Sequence, residues 1–393
     1  MMVNVSSSNG QKANVPKLRF PGFEEPWKMV FLQDISEYRK GKISVSKSKY
    51  ISTENMLQNF SGIIPYVTKE EIIGVEFNAG DTLLANIRPY LKKAWLAAYN
   101  GACSSDVLAL CPLDVTPDFL NNIIEQDRFI DYVMSGVKGS KMPRGDKSHI
   151  LAYETAIPSE LEQEKINSFI QLMRIRIEKI QMEIELLKKY KRGLLHGVLS
   201  EKIKITTGAW TEHKIGEFLH SKSVKQLPTE DAPLMAFTAT GGVCDKGERY
   251  DRGFLVKDAS SKLYKRTDLN DFIYSSNNLD VGSIGLNLYG SAVISDVYEI
   301  FSITDADPWF ISEAIKQKDV MSRILKYRQG CLYGQYRIYA EDFLCVRVKV
   351  PPYVDQKKIG ATFSKIDSKI SQEQNLLNCL EDTRRFFLQQ LFI

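Results

Sequence analysis

A long helical segment occurs twice in this chain of 393 residues, and the two copies align without a gap. Each copy follows a globular-looking stretch, 17–157 before the first and 205–350 before the second. A domain followed by a helix, repeated once, predicts a chain with pseudo-twofold symmetry. With Pro158 set against Pro351, the identical pairs include Gln163 with Gln356, Lys165 with Lys358, Ile166 with Ile359, Ile177 with Ile370, Leu187 with Leu380 and Arg192 with Arg385.

Both helical segments place apolar residues at alternating steps of three and four along one face. A repeat of 3.5 residues is typical of a coiled coil, so we expect the two segments to pair with each other. The alternative is two amphipathic helices, each lying on its own domain. The seam positions that we predict are Ile170, Ile177, Ile184, Leu187 and Lys191 in the first segment, and Ile370, Glu373, Leu377 and Leu380 in the second.

The direction of this pairing follows from the chain connection. The second domain lies between the helices, and the ends of a compact domain usually lie close together, so the last helix should run back antiparallel to the first. The segment from Ile166 to Val198 is about 50 Å long at 1.5 Å per residue, which makes the pair a spacer with one domain at each end. We hypothesise a register with Lys191 opposite Glu373, because one buried charge pair commonly fixes register.

Composition places the chain among ordinary globular proteins, with 44% hydrophobic and 25% charged residues. The formal charge of +4 permits nucleic-acid binding without demanding it.

The sequence has neither an apolar run of membrane-spanning length nor the basic start and apolar core of an export signal, so we expect a cytoplasmic protein without membrane contact. Its six cysteines and four histidines lack metal-ligand spacing, which predicts reduced thiols and no metal site.

The chain divides into five predicted parts: a flexible tail at 1–16, domains at 17–157 and 205–350, a central helix at 158–204 and a C-terminal helix at 351–393. Short strand-like runs and one helix in each domain indicate a mixed α/β fold. The domain helices are expected around Pro117–Met134 and Pro308–Lys326, and strands at Thr82–Leu84, Val107–Cys111, Phe272–Tyr274, Ala292–Ile294 and Glu299–Ile303.

Several motifs, taken in order, resemble the specificity subunits of type I restriction-modification enzymes. They are KLRFPGFEEPW near the start, YISTENM at Tyr50–Met56, the Gln-x-Lys-Ile cores after Pro158 and Pro351, and the turn at Gly282–Gly285. The resemblance covers essentially the whole chain. It implies two target recognition domains, each reading half of a bipartite site in double-stranded DNA, joined by helices that dock two modification subunits.

The resemblance also implies that this chain is a non-catalytic member of a methyltransferase and endonuclease complex. S-adenosylmethionine would bind to the modification subunits, while restriction subunits would supply ATP-driven translocation and cleavage with ATP and Mg. No cofactor is expected on this chain. Independent inspection agrees, because the Pro-Pro-aromatic match at Val350–Tyr353 lacks the polar first residue of amino-methyltransferases, and glycine-rich cofactor and Walker loops are missing from the sequence. The lone E-x-K at Glu212–Lys214 lacks a convincing partner aspartate.

Basic loops supply the candidate DNA contacts. Glycines let a backbone approach phosphate closely, and arginine and glutamine match guanine and adenine edges. The first-domain loop at Gly136–Ser148 contributes Lys138, Lys141, Arg144 and Lys147, and the corresponding place in the second domain contributes Arg328, Tyr333, Gln335 and Arg337. Further candidates are Arg88, Lys92, Lys93, Lys246, Arg249, Lys265 and Arg266. The alternative for each is a solvated loop or a surface ion pair of little energetic weight.

Two rival functions remain open at this stage. A coiled-coil adaptor whose domains bind proteins would hold its partner largely independently of salt, whereas phosphate contacts make DNA affinity fall steeply with salt. A self-contained methyltransferase and nuclease is disfavoured by the missing motifs.

Overall fold

The duplication in the sequence reappears in the order of strands and helices. The computed structural model describes residues 3–4, 14–139, 141–205, 207–238, 242–245, 262–277, 279, 282–330 and 336–393. It divides into two units, Met1–Met182 with Gln374–Ile393, and Glu183–Glu373. Each unit therefore combines a mixed α/β body with a part of each long helix. That mixed α/β class and the two long helices confirm the predicted fold class.

The first unit contains two four-stranded sheets and two short strand pairs together with its helices. The strands are β1 (Val3–Asn4), β2 (Leu18–Arg19), β3 (Lys28–Phe31), β4 (Ser36–Tyr38), β5 (Lys42–Ser46), β6 (Tyr50–Ile51), β7 (Glu71–Phe77), β8 (Thr82–Ala85), β9 (Ala94–Leu96), β10 (Gly101–Cys103), β11 (Val107–Pro112) and β12 (Glu154–Ile157). The helices are α1 (Leu32–Ile35), α2 (Pro117–Ile124), α3 (Asp127–Ser135), α4 (Lys147–Leu151) and the start of α5 (Glu160–Leu199). The sheet orders are β4-β11-β8-β9, β5-β7-β10-β6, β12-β3 and β1-β2.

The second unit repeats the main elements. Its strands are β13 (Thr211–Lys214), β14 (Leu219–Lys222), β15 (Lys225–Gln226), β16 (Ala236–Thr238), β17 (Gly242–Cys244), β18 (Tyr264–Thr267), β19 (Phe272–Ser275), β20 (Ile284–Leu286), β21 (Ala292–Ile294), β22 (Tyr298–Ile303), β23 (Gln329–Gly330), β24 (Tyr336–Arg337) and β25 (Arg347–Val350). Its helices are α6 (Pro308–Ile315), α7 (Lys318–Ile324), α8 (Ala340–Cys345) and the start of α9 (Tyr353–Gln390). The sheet orders are β14-β22-β19-β20, β15-β18-β21, β13-β25, β16-β17 and β23-β24.

Each unit contains its own antiparallel four-stranded sheet of the same kind. The sheets β4-β11-β8-β9 and β14-β22-β19-β20 have the same order and consist of corresponding strands. The predicted single helix after this sheet was wrong in both units, since each is broken in two. Gln126 and Gln317 lie at the breaks in an extended conformation. Each side-chain amide donates to the carbonyl of the residue four earlier, at 3.2 Å in both units. At each break, the side-chain amide bonds the carbonyl that a helical backbone N–H would bond, although the backbone itself leaves the helical conformation.

The duplicated glutamines of the long helices explain part of the sequence repeat. Gln163 accepts a hydrogen bond from the backbone N–H of Thr116 at 3.0 Å and donates to the carbonyl of the proline five residues earlier at 3.2 Å. Gln356 does the same with the backbone N–H of Asp307 at 3.1 Å and its own proline at 2.9 Å. Thr116 and Asp307 are the N-cap residues of α2 and α6. Each glutamine thus ties the start of a long helix to the body of its unit.

The hydrophobic core of each unit includes both long helices. In the first unit, Trp27 and Phe119 share a buried cluster with Ile170 of α5 and Leu388 of α9. In the second unit, a stack of aromatic rings packs in one cluster with residues from both long helices. The stack comprises Phe272, Tyr274, Phe301 and Phe343, and the helical residues include Val198, Ile359 and Phe363.

Contacts within each unit show that α5 and α9 are antiparallel, as predicted. In the first unit, the rings of Phe169 and Phe387 meet with centroids 4.9 Å apart. In the second unit, Lys191 Nζ lies 2.7 Å from Asp367 Oδ2, so late α5 meets early α9. The predicted pairing of Lys191 with Glu373 is therefore wrong. Glu373 is instead bonded by Lys369 one turn earlier on its own helix.

The predicted seam positions are mostly removed from solvent. Five of the nine are buried, and the remaining four are half-buried. The buried set is Ile170, Ile177, Ile184, Glu373 and Leu377, and the half-buried set is Leu187, Lys191, Ile370 and Leu380. Within the described ranges, no helix is long and apolar enough to span a membrane.

Candidate nucleic-acid interface

A short hairpin organises the basic loop of the first unit. The backbone N–H and carbonyl groups of Lys138 and Arg144 bond each other in both directions at 3.0 Å. Arg144 also forms an isolated antiparallel bridge with Ile87, which follows strand β8. The N–H of Arg88 donates to the carbonyl of Pro143 at 2.8 Å. The fold thus brings Arg88, far away in sequence, beside the predicted loop.

The surface around this hairpin is positively charged. Five predicted DNA contacts are exposed there: Arg88, Lys138, Lys141, Arg144 and Lys147. Lys138 Nζ pairs with Asp146 Oδ2 at 2.6 Å, and Arg144 Nη2 with Asp106 Oδ1 at 3.1 Å. Lys147 Nζ lies 5.9 Å from the ring centroid of Tyr38. Five cations against two paired carboxylates leave a net positive face, which suits contact with phosphate. We call this face the first basic surface.

Asp146 fixes the base of the first basic surface. Its carboxylate caps α4 by accepting hydrogen bonds from the backbone N–H of Ser148 at 3.0 Å and of His149 at 3.2 Å. The hydrogen bond from Lys138, together with these contacts, holds the pKa of Asp146 well below its usual range. Because this pKa is lower in the folded state than in the unfolded state, the carboxylate stabilises the fold above the unfolded pKa. That stabilisation is lost only in strong acid, as the pH falls through the folded pKa. The cap is therefore charged at neutral pH.

Lys92 and Lys93 have partners within the protein. Lys92 Nζ lies 2.6 Å from Asp127 Oδ1 of α3, and Lys93 Nζ donates to the carbonyl of Thr53 at 2.6 Å. Both side chains are half-buried. The structure thus separates them from the exposed cations, and their contacts attach the segment after β8 to the body of the unit.

Two predicted contacts of the second unit are also engaged in ion pairs. Lys265 Nζ lies 2.9 Å from Glu299 Oε2 and donates to the carbonyl of Tyr298 at 2.7 Å, with its side chain only 13% exposed. Arg266 Nη2 lies 3.1 Å from Asp268 Oδ1. Burial raises the pKa of Asp268, but hydrogen bonds from Lys222, Arg266 and other partners outweigh it and lower the pKa to about 2. Lys265 and Arg266, which are adjacent in β18, are thus held by separate sets of ion pairs.

The second unit has a hairpin in the place that corresponds to the first basic surface. Gln329 pairs with Arg337 in β23 and β24, and Arg337 also bridges Asn277, which follows β19. The guanidinium of Arg337 lies 4.9 Å from the ring centroid of Tyr339, and that of Arg328 lies 5.2 Å from that of Tyr336. We call this hairpin the second basic surface. The predicted contacts Tyr333 and Gln335, like Lys246 and Arg249, lie outside the described residues.

Sequence reasoning included Tyr333 but missed three other tyrosines at these surfaces, Tyr90, Tyr336 and Tyr339. Tyr90 is 49% exposed between Arg88 and Lys92, and Tyr336 and Tyr339 are exposed at the second basic surface. The signal was present as an Arg-Pro-Tyr run after a strand and as tyrosines spaced among arginines. Aromatic rings interleaved with arginines can make cation–π contacts with those arginines and apolar contacts with base edges. No group of three metal-ligating side chains forms a cluster in the part of the chain that the structure describes.

Solved structures with low sequence identity share this fold. The S subunit of a type I restriction-modification system from M. genitalium aligns with a TM-score of 0.62 and 16% identity, over 96% of this chain and 99% of that one. A structure from work on complex assembly and conformational transition of the type I R-M system aligns with a TM-score of 0.50 and 15% identity, over 94% and 97% of the two chains. No family model and no curated protein matches the sequence. At these identities the likeness establishes the fold alone.

Proposed function

We propose that this chain is the DNA-specificity subunit of a type I restriction-modification complex. The observation that carries the proposal is the nearly full-length fold shared with an S subunit, combined with a basic hairpin at the same place in each duplicated unit. One unit reads one half of a bipartite DNA site and the other unit reads the second half. The duplicated frame with different side chains at the two hairpins supports this division, because equivalent positions can then recognise different bases.

The reading surfaces contain groups for both kinds of DNA contact. Exposed lysines such as Lys141 are suited to phosphate, which positions a protein on the duplex without reading its sequence. The arginines Arg88 and Arg328 have planar guanidinium groups that match guanine edges, whereas the Arg337 guanidinium lies 3.5 Å from Glu299 Oε1. Phosphate contact supplies affinity, and the arginines supply discrimination between bases.

A second apolar row on α5 supports docking of the modification subunits. Leu172, Ile175 and Met182 in the first unit, and Leu186 and Tyr190 in the second, are between 38% and 66% exposed. Leu172 and Leu186 each lie two residues after a seam position, about 200° around the helix from the buried seam. The row suits helices of a partner. Because one structural neighbour concerns complex assembly in a type I system, we assign this row to the modification subunits.

The chemistry of the complex belongs to its partners in this proposal. The modification subunits bind S-adenosylmethionine and methylate an adenine in each half-site after base flipping. Restriction subunits bind ATP and Mg and act on the DNA beyond the site. This chain is non-catalytic, and its contribution is to place the other subunits on a chosen sequence.

The proposal predicts steeply salt-dependent DNA binding and no methyl transfer by the chain alone. We expect the complex with its modification subunit to lose about 10³- to 10⁵-fold in DNA affinity between about 50 and 200 mM salt, as six to ten phosphate contacts would cause. Titration of labelled duplex DNA at several salt concentrations measures this slope. An affinity that is independent of salt would favour the protein adaptor instead. Methyl transfer by the isolated chain would contradict the non-catalytic assignment.

A further inference from the structure

We infer that the loop Arg88–Lys92 is the base-reading element of the first unit, with Arg88 contacting a guanine in the major groove and Tyr90 packing against the adjoining base. This inference rests on the proposed function and deepens it, because it assigns discrimination to one loop rather than to the whole first basic surface. The loop encloses a single 3-10 turn at Pro89–Leu91.

The backbone of this loop adopts an unfavourable conformation at both ends. Arg88 and Lys92 have φ values of 52° and 51°, in the left-handed region that residues with a Cβ seldom adopt. Asn59 and Phe60, whose backbone N–H groups bond this loop, also lie in the left-handed region, with φ values of 55° and 58°. Such conformations persist only where the surrounding structure enforces them, and they cluster at functional sites.

Surrounding contacts hold the loop in place. The carbonyl of Leu91 accepts a hydrogen bond from the N–H of Asn59 at 3.1 Å, and that of Lys92 from the N–H of Phe60 at 2.7 Å. Pro89 is buried in the middle of the turn. The ion pair of Lys92 with α3 and the Arg88 bond to the hairpin fix both ends. The side chains that the loop exposes are therefore preorganised, which reduces the entropy lost on binding.

Arg88 is the cation of this surface best placed for a base. It is exposed, and within the described ranges its guanidinium has no ion pair or hydrogen bond to the protein, whereas Lys138 and Arg144 are paired with carboxylates. Its five N–H donors match the O6 and N7 acceptors of guanine in a bidentate contact. Tyr90, two residues later and 49% exposed, offers a ring to the neighbouring base.

The test uses the complex with its modification subunit and duplexes that contain the recognised site. Each guanine of each half-site is replaced in turn by 7-deazaguanine, which lacks the N7 acceptor. Replacement of one guanine in one half-site should weaken wild-type binding roughly tenfold, because it removes one of the two acceptors of the bidentate contact and leaves O6 in place. In Arg88→Asn, which tolerates the left-handed conformation, the same replacement should cause no further loss.

Lys141→Ala provides the matched control. It removes a phosphate contact, so it should weaken binding to all sequences equally and lower the slope of log affinity against log salt by about one. Tyr90→Ala should change the effect of base replacements in the same half-site as that guanine, and it should leave the effect of replacements in the other half-site unchanged. Thermal unfolding of each variant confirms that the fold is retained.

The outcomes separate this inference from the proposed function. If a folded Arg88→Asn complex still loses affinity on the same 7-deazaguanine replacement as the wild type, the loop does not read that base and the inference is wrong. The proposed function would survive that result, since the wild type would retain its sequence preference. A wild-type complex without any sequence preference would overturn the proposed function itself.

Discussion

At the scale of single residues, Glu125 shows how one buried carboxylate joins three elements of the first unit. It accepts hydrogen bonds from Asn121 Nδ2 of α2 at 2.8 Å, from Arg174 Nη2 of α5 at 2.9 Å, and from Arg384 of α9. Burial lowers the pKa of Arg384 to about 10, which leaves the guanidinium charged at neutral pH. Arg384 therefore has an ion-pair partner from outside the pair of long helices.

Replacing Glu125 by glutamine should destabilise the first unit markedly. The change keeps the shape but leaves two buried guanidinium groups without a counter-charge, and breaking such a buried pair costs about 3 to 5 kcal/mol. Urea unfolding of the chain measures the loss. Glu185→Gln is the matched control, because Glu185 makes an exposed pair with Lys188 on one helix, and its loss should cost less than about 0.5 kcal/mol. Equal effects of the two changes would contradict the assigned role.

At the scale of elements, the two long helices keep a cation at one pair of equivalent positions and differ in charge at another. The shift that sets Pro158 on Pro351 also sets Arg174 on Asp367 and Lys191 on Arg384. In the second unit, Lys191 Nζ lies 2.9 and 2.7 Å from the two carboxylate oxygens of Asp367 and 5.3 Å from the ring centroid of Trp309. Each unit therefore holds its part of the helix pair with its own ion pairs.

A double-mutant cycle tests which residue pairs with Lys191. Lys191→Ala and Asp367→Ala should show a coupling of about 1 kcal/mol in the free energy of unfolding, since both side chains are about three-quarters buried. Lys191→Ala combined with Glu373→Ala should be additive, because Glu373 is bonded by Lys369 on its own helix. Coupling to Glu373 in place of Asp367 would restore the register predicted from the sequence.

At the scale of the whole molecule, one duplicated frame carries two basic hairpins. The equivalent sheets β4-β11-β8-β9 and β14-β22-β19-β20 place a basic hairpin beside the segment after their third strand, β8 or β19. The two long helices contribute to the core of both units. Under the proposed function, the helices set the number of base pairs that neither unit reads.

Deleting one heptad from each long helix should shorten the unread gap between the half-sites. Seven helical residues rise about 10 Å, which corresponds to about three base pairs of duplex. Mapping of methylated adenines in DNA exposed to the complex measures the gap. A matched insertion of one heptad in each helix should lengthen it by a similar amount. A gap that both changes leave unaltered would argue against the helices as a spacer.

Much of this architecture was accessible from the sequence alone. The predicted strands at Thr82–Leu84, Val107–Cys111 and Ala292–Ile294 were confirmed to within one residue. The register of the helix pair and the unbroken helix after each sheet were wrong. Periodicity reports which residues face a core, but it does not report a local break such as that at Gln126, nor which of several nearby charges will pair.

The sequence by itself determined the duplication, the two long antiparallel helices and the mixed α/β class, because these depend on repeats and on apolar periodicity that hold over many residues. Only the tertiary structure decided that Arg88 meets Pro143, that Lys92 and Lys93 are engaged in contacts within the first unit, and that Lys191 pairs with Asp367. Those outcomes depend on individual distances between residues far apart in the chain. A difference of a few ångströms changes which charge is neutralised and which remains exposed.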